Sequence, residues 1–147
     1  MRYLPFRGTT TGVAIDACSR PVESLRIEVP AAAERLAEIR RKLTGWLKPI
    51  GMSSSRIADI VLVVNEACTN CIEHAYRDII GGRIRIDAVH DKGQIVVDIA
   101  DDGVWQTPPT QPSTRGRGLS IMRAVSTGVD VNSSTKGTTV RMRFAAP

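Results

Sequence analysis

The chain has 147 residues, 42% of them hydrophobic, which suits one domain with one core and argues against disorder. No apolar run approaches the roughly 20 residues of a membrane-spanning helix, and the N-terminus lacks the apolar stretch of a secretory signal, so a cytoplasmic protein is the expectation. The net charge is +5 and aromatic residues are only 4%, with Arg40-Arg41-Lys42 the one concentrated basic run; this gives little ground for nucleic-acid binding and fits an acidic protein or an anionic nucleotide equally well.

Residues 1–23 carry glycine, threonine and proline without a clear period and are expected to form a loosely ordered leader, with one domain over residues 24–147. Ser24 to Val29 alternates and predicts a strand. Pro30 is placed to open a helix over about Ala31 to Leu47, with Leu36, Ile39, Leu43, Trp46 and Leu47 at helical spacing. A serine among Ser53, Ser54 and Ser55 caps a second helix that continues to about Tyr76. Arg83–His90 and Gln94–Ala100 alternate as two strands around an Asp91-Lys92-Gly93 turn. The stretch Asp101 to Arg117 holds Pro108, Pro109 and Pro112 and reads as a loop. A short helix over Leu119 to Ser126 and a last hairpin, Val129–Asn132 with Thr138–Phe144, complete the order. Hairpins plus helices that must share one face predict an α+β two-layer sandwich, with a mixed, mostly antiparallel sheet.

The second helix is the most informative segment. At about 100° per residue, Glu66, Asn70 and His74 fall within roughly 80° of one another. The opposite stripe, Ile57, Val61, Val64, Cys68, Cys71 and Ala75, is apolar and suited to a core. Cys68 and Cys71 make a C-x-x-C spacing, but both fall mid-helix on that apolar stripe, so buried structural thiols are expected rather than a redox pair or zinc site.

Three further clusters join this polar seam. Asp101-Asp102-Gly103 stands at the end of a predicted strand, where a buried carboxylate can accept the exocyclic amine of adenine. Gly116-Arg117-Gly118-Leu119 leads into a helix whose N-terminus offers free N–H groups to phosphates. Gly137-Thr138-Thr139 opens the last strand. The Asn70 oxygen can complete the shell of Mg²⁺, and Glu66 one turn earlier can act as general base toward a hydroxyl or water.

In order and spacing these clusters resemble the ATP-binding domain of the GHKL superfamily. The helix segment is similar to its N box, and the three glycine-containing clusters to its successive glycine boxes, over about Ser24 to Phe144. The form E-A-x-x-N-x-x-x-H-A-Y most resembles the anti-sigma-factor serine/threonine kinases of the sporulation and stress-response type. The resemblance implies ATP and Mg²⁺ as cofactors, Glu66 as catalytic base and Asn70 as the Mg²⁺ ligand. It implies Asp101, Gly103 and Thr138 around adenine, and Arg115, Gly116, Gly118 and Leu119 near the phosphates, with residues 101–117 as the ATP lid. Arg40 matches an arginine at the family's partner-binding surface. The first glycine box departs from D-x-G-x-G, because Trp105 holds the second glycine position.

The implied function is a regulator that sequesters a sigma factor and phosphorylates an anti-sigma-factor antagonist, working as a homodimer. Two alternatives stand beside it. One is a non-catalytic ATP-binding module that switches partners. The other is the catalytic domain of a two-component histidine kinase, for which no acceptor-histidine helix pair precedes the domain in this sequence.

Overall fold

Strand alternation sets the inner face of the sheet. A computed structural model describes residues 10–15, 21–75, 82–103 and 117–147. Its strands are β1 (Thr10–Ile15), β2 (Pro21–Pro30), β3 (Arg83–Asp91), β4 (Gln94–Asp101), β5 (Gly128–Ser134) and β6 (Gly137–Ala145). They form one six-stranded sheet in the order β1-β2-β3-β4-β6-β5. Every pairing among the described residues is antiparallel. The helices are α1 (Leu36–Leu47), α2 (Ser54–Asn70) and α3 (Arg117–Val125).

The inner face is aliphatic. Leu25, Ile27 and Val29 of β2, Ile84, Ile86 and Ala88 of β3, and Ile95, Val97 and Ile99 of β4 are buried, as are Val140, Met142 and Phe144 of β6. The helices cover this face. Ile39, Leu43 and Leu47 come from α1, Ile60, Val63, Val64 and Ala67 from α2, and Met122 from α3. Each fully buried aliphatic side chain contributes about 1.5–3 kcal/mol of transfer free energy, so burial on this scale supplies the driving force for the two-layer packing.

The outer sheet face is ionic, and its charges pair off across strands. Arg26 meets Asp87, Arg83 meets Glu28, Arg141 meets Asp98, Arg143 meets Asp130, and Arg85 meets Asp102 just beyond β4. The Arg141–Asp98 pair is bidentate, both bonds being 2.7 Å. These pairs are solvated and contribute little stability one by one. They do oppose register slips, since a one-residue shift would carry every charge into the core.

Several boundaries differ from expectation. A strand, β1, occupies residues 10–15, where a loosely ordered leader is expected, and it pairs with β2 from Thr10 opposite Arg26 to Ile15 opposite Pro21. Its six residues form a strand only against that neighbour, since a short run has weak propensity of its own. Pro30 does not open a helix. It is the last residue of β2, opposite Arg83, and the chain continues with Ala31 N–H donating to the Gly82 carbonyl at 2.8 Å. Proline is tolerated at a strand end, and the helix begins only after a 3₁₀ turn over Ala33–Arg35. The capping serine is Ser53, whose hydroxyl accepts from Arg56 N–H at 3.2 Å. Gly51, at φ 88°, provides the left-handed turn between α1 and α2. Among the described residues no helix is long and apolar enough to cross a membrane.

Candidate functional site

The end of α2 meets the end of β4. After Asn70 the helix widens into a π-turn over Cys71–Ala75, and Cys71 N–H is shared by the Ala67 and Cys68 carbonyls. Such turns recur at functional sites because they redirect the residues that follow. The 100° projection therefore holds for Glu66 and Asn70 but stops short of His74. Glu66 and Asn70 are both partly exposed, one turn apart.

Cys71 is fully buried, and its S–H donates to the Asp101 carboxylate. Burial, the Asp101 charge and nearby Cys68 push its thiol far above the ordinary range. Burial alone pushes the Cys68 thiol up to about 12. Both thiols stay protonated near neutral pH, which fits the structural role expected from their stripe and not thiolate chemistry. Among the described residues no three His, Cys, Asp or Glu side chains cluster to hold a metal.

Asp101 is 3% exposed. One of its carboxylate oxygens accepts from Gly103 N–H at 3.0 Å, a local turn that fixes the carboxylate at the strand end. Thr138, also buried, lies directly opposite in β6, and its hydroxyl is 3.0 Å from that of Ser133. Gly103 is buried as well. The structure thus brings Asp101, Gly103, Thr138 and the residue after Asn70 to one end of the sheet.

Gly137 holds this junction together. Its φ is 139°, and a Cβ there would collide with the Asp101 carbonyl and come within 3.1 Å of Asp102 Cα. The G-T motif is visible in the sequence; its contact with Asp101 is not, because it joins residues far apart in the chain. Gly137→Ala is expected to destabilise the fold by at least about 2 kcal/mol, through backbone strain and the collision. A urea melt checks this, as a fall in midpoint at unchanged m-value.

Gly118 and Leu119 lie in the first turn of α3, with Leu119 packed partly against the core and Met122 fully buried. Arg115 and Gly116, with Trp105 and most of the expected lid, lie outside the described residues. Arg40 is exposed on α1, away from this cluster, and its guanidinium donates to the Asn65 side-chain oxygen at 3.0 Å. Val61, expected on the core stripe, is half-buried and faces the outer side of the α1–α2 hairpin. Ile60 and Val63 take its place in the core because α2 packs against the sheet and against both other helices, which widens its apolar arc.

A helical layer on an antiparallel sheet, with a buried strand-end aspartate beside a helix bearing Glu66 and Asn70, defines an ATPase-type α+β domain. The chain belongs to the histidine kinase-like ATPase domain family, whose model matches residues 29–144. It is similar to the serine-protein kinase RsbW of Bacillus thuringiensis (strain Al Hakam) and of Bacillus cereus (strain AH820). Each is 30% identical over 82 residues, covering 56% of this chain and 51% of the relative. The chain thus spans about half the length of the curated relatives it matches. Among solved structures, the RsbU and RsbW domains of a Mycobacterium tuberculosis protein superpose with a TM-score of 0.70 at 25% identity, covering 87% of this chain and 34% of that one. The histidine kinase domain of the Erythrobacter litoralis blue-light activated kinase shares the fold, with a TM-score of 0.55 at 19% identity over 80% of this chain and 62% of its own.

Proposed function

We propose that this chain is a cytoplasmic anti-sigma factor and an ATP-dependent serine/threonine kinase acting on an antagonist protein, and that it works as a homodimer. The observation that carries the nucleotide part is the Cys71–Asp101 contact, which sets the Asn70 end of α2 beside a buried carboxylate. The likeness to the RsbW kinases supports the kinase part.

The residues present fit an adenine nucleotide. Asp101 is a buried acceptor suited to an exocyclic amine, and Gly137, lacking a Cβ, lets β6 approach the Asp101 backbone closely. Thr138 and Gly103 flank that acceptor; Gly118 and Leu119 lie where the α3 N-terminus offers N–H groups, joined by Arg115 and Gly116 in the same proposal. The Asn70 oxygen suits Mg²⁺, a hard cation that takes few protein ligands. When bound, ATP supplies the phosphoryl group and the metal screens its charge. Glu66 would take the proton of the acceptor hydroxyl, readying that oxygen to receive the phosphoryl group with ADP as the leaving group. The phosphate adds roughly −1.5 to −2 charges to the antagonist and so alters its grip. Arg40 belongs to the partner surface.

Calorimetric titration with ATP, with Mg²⁺ and with a chelator, tests the metal role. Wild-type protein should bind more tightly with Mg²⁺, and Asn70→Ala should lose most of that difference. Equal affinities under both conditions in both proteins would remove the assignment. Pull-downs from the native cell with ATP and with ADP, followed by mass spectrometry, test the partners; absence of both a sigma factor and a phosphoserine protein would sink the regulatory reading.

A further inference from the structure

The two thiols of α2 look alike in sequence and differ in what they touch. Cys68 and Cys71 are both fully buried, one turn apart. Burial is the sole cause that lifts the Cys68 thiol, so its surroundings are apolar and it behaves as a small hydrophobe. Cys71 instead meets the Asp101 carboxylate. Packing asks only for a small apolar residue at either position; the S–H at Cys71 adds a donor directed at a charge.

Its place in the chain matters. Cys71 follows Asn70 directly and opens the π-turn. Neighbouring helix residues project about 100° apart. Asn70 is therefore turned to a partly exposed side, while Cys71 is turned inward against the end of β4.

Asp101 has need of such a donor. It is 3% exposed, and a carboxylate removed from water is costly unless donors surround it. Gly103 N–H holds one oxygen at 3.0 Å. That bond alone leaves the group free to swing, because the last torsion of an aspartate has broad preferences. A second donor fixes its plane. Gly103 approaches from the turn after β4 and Cys71 from the end of α2, so the restraint comes from two separate elements. A carboxylate held in one plane keeps a lone pair aimed at one point, as the reading of a single ligand N–H requires.

We propose that Cys71 is a positioning residue for base recognition: its S–H and the Gly103 N–H together lock the Asp101 carboxylate in the orientation that accepts the exocyclic amine of adenine. This rests on the adenine pocket of the proposed function and adds the source of its selectivity. The thiol acts through Asp101 and makes no contact with the nucleotide. Buried as it is, it keeps its proton and remains a donor near neutral pH.

The test is calorimetric titration of the full chain with ATP and with purine riboside triphosphate, which carries hydrogen in place of the amine. Wild type should prefer ATP by at least about tenfold, the worth of a hydrogen bond to a charged acceptor. Cys71→Ala should shrink that preference about three- to tenfold through weaker ATP binding, with the analogue held within about twofold of wild type. Cys71→Ser, which keeps a hydroxyl donor, should recover the preference to within about twofold. Cys68→Ala removes an equally buried thiol one turn away; it should lower the urea midpoint as Cys71→Ala does, yet leave the preference unchanged. A full preference in Cys71→Ala would overturn the inference and leave the adenine pocket standing. So would an equal loss of both nucleotides, or no recovery in Cys71→Ser, since each marks Cys71 as packing alone. A wild type that binds both nucleotides equally removes the adenine pocket, and the inference with it.

Discussion

Asp101→Asn is expected to lower affinity for ATP by about 10- to 100-fold, the loss of a hydrogen bond to a charged acceptor. The reason is the number of donors that converge on this carboxylate. Gly103 N–H occupies one oxygen at 3.0 Å, and Cys71 S–H also donates to the group. The adenine amine would be a third. An asparagine has one oxygen and one NH₂, so whichever way it flips, its NH₂ confronts a donor. Because the side chain is only 3% exposed, water cannot relieve the conflict. A purine triphosphate lacking the exocyclic amine separates base recognition from general damage. It should bind wild type and variant within about twofold of each other, beyond any difference traced to folding by urea melts. Wild-type affinity for ATP in the variant would sink the pocket assignment.

Glu66→Gln is expected to keep ATP binding and lose phosphotransfer by about 10²- to 10⁴-fold, the usual contribution of a positioned general base. The substitution preserves shape, and Glu66 is partly exposed in the last turns of α2, so the fold has little reason to change. Single-turnover phosphorylation gives the rate, and nucleotide titration gives the affinity. Unchanged transfer would refute the base role. A parallel loss of affinity would move Glu66 from proton transfer to nucleotide binding. Together with Asn70→Ala, which addresses the metal dependence, this pair of variants separates the two residues of the α2 seam.

The elements that sequence resolved best are those whose burial pattern is local. R-I-R-I-D-A-V-H and Q-I-V-V-D-I-A alternate, and the alternation separates inner from outer face, with Ile84, Ile86 and Ala88 of β3 and Ile95, Val97 and Ile99 of β4 turned inward. A serine cap among Ser53, Ser54 and Ser55 was legible because a cap's partner lies only three residues away, and the structure selects Ser53. The antiparallel character and one-sided helical layer followed from the order of hairpins, and the family's glycine boxes pointed to the same fold. What escaped depends on contacts distant in sequence or on departures from ideal geometry. Residues 10–15 need β2 beside them to count as a strand. The π-turn after Asn70 adds a residue per turn that no fixed projection anticipates, so His74 could not be placed by the rule that placed Glu66 and Asn70. A single apolar stripe places Val61 in the core, but α2 packs in three directions and leaves it half-buried at the core's edge. The meeting of Cys71, Asp101 and Gly137 joins three motifs at one point, although each appears in the sequence only as a separate cluster.

The outer sheet face carries a consequence for how other molecules meet this one. Its five arginines are each matched to a carboxylate, so that side projects little net field. The chain as a whole still bears +5, and Arg40, Arg41 and Lys48 stand together on the helical side. Among the described residues the unpaired positive charge therefore gathers on the helical side, and it draws a negatively charged protein toward that side before any contact forms. Encounter with such a protein should be fast in dilute buffer and slow as salt shortens the reach of the field to about 10 Å at 0.1 M. The departure rate, set by short-range contacts, should change far less.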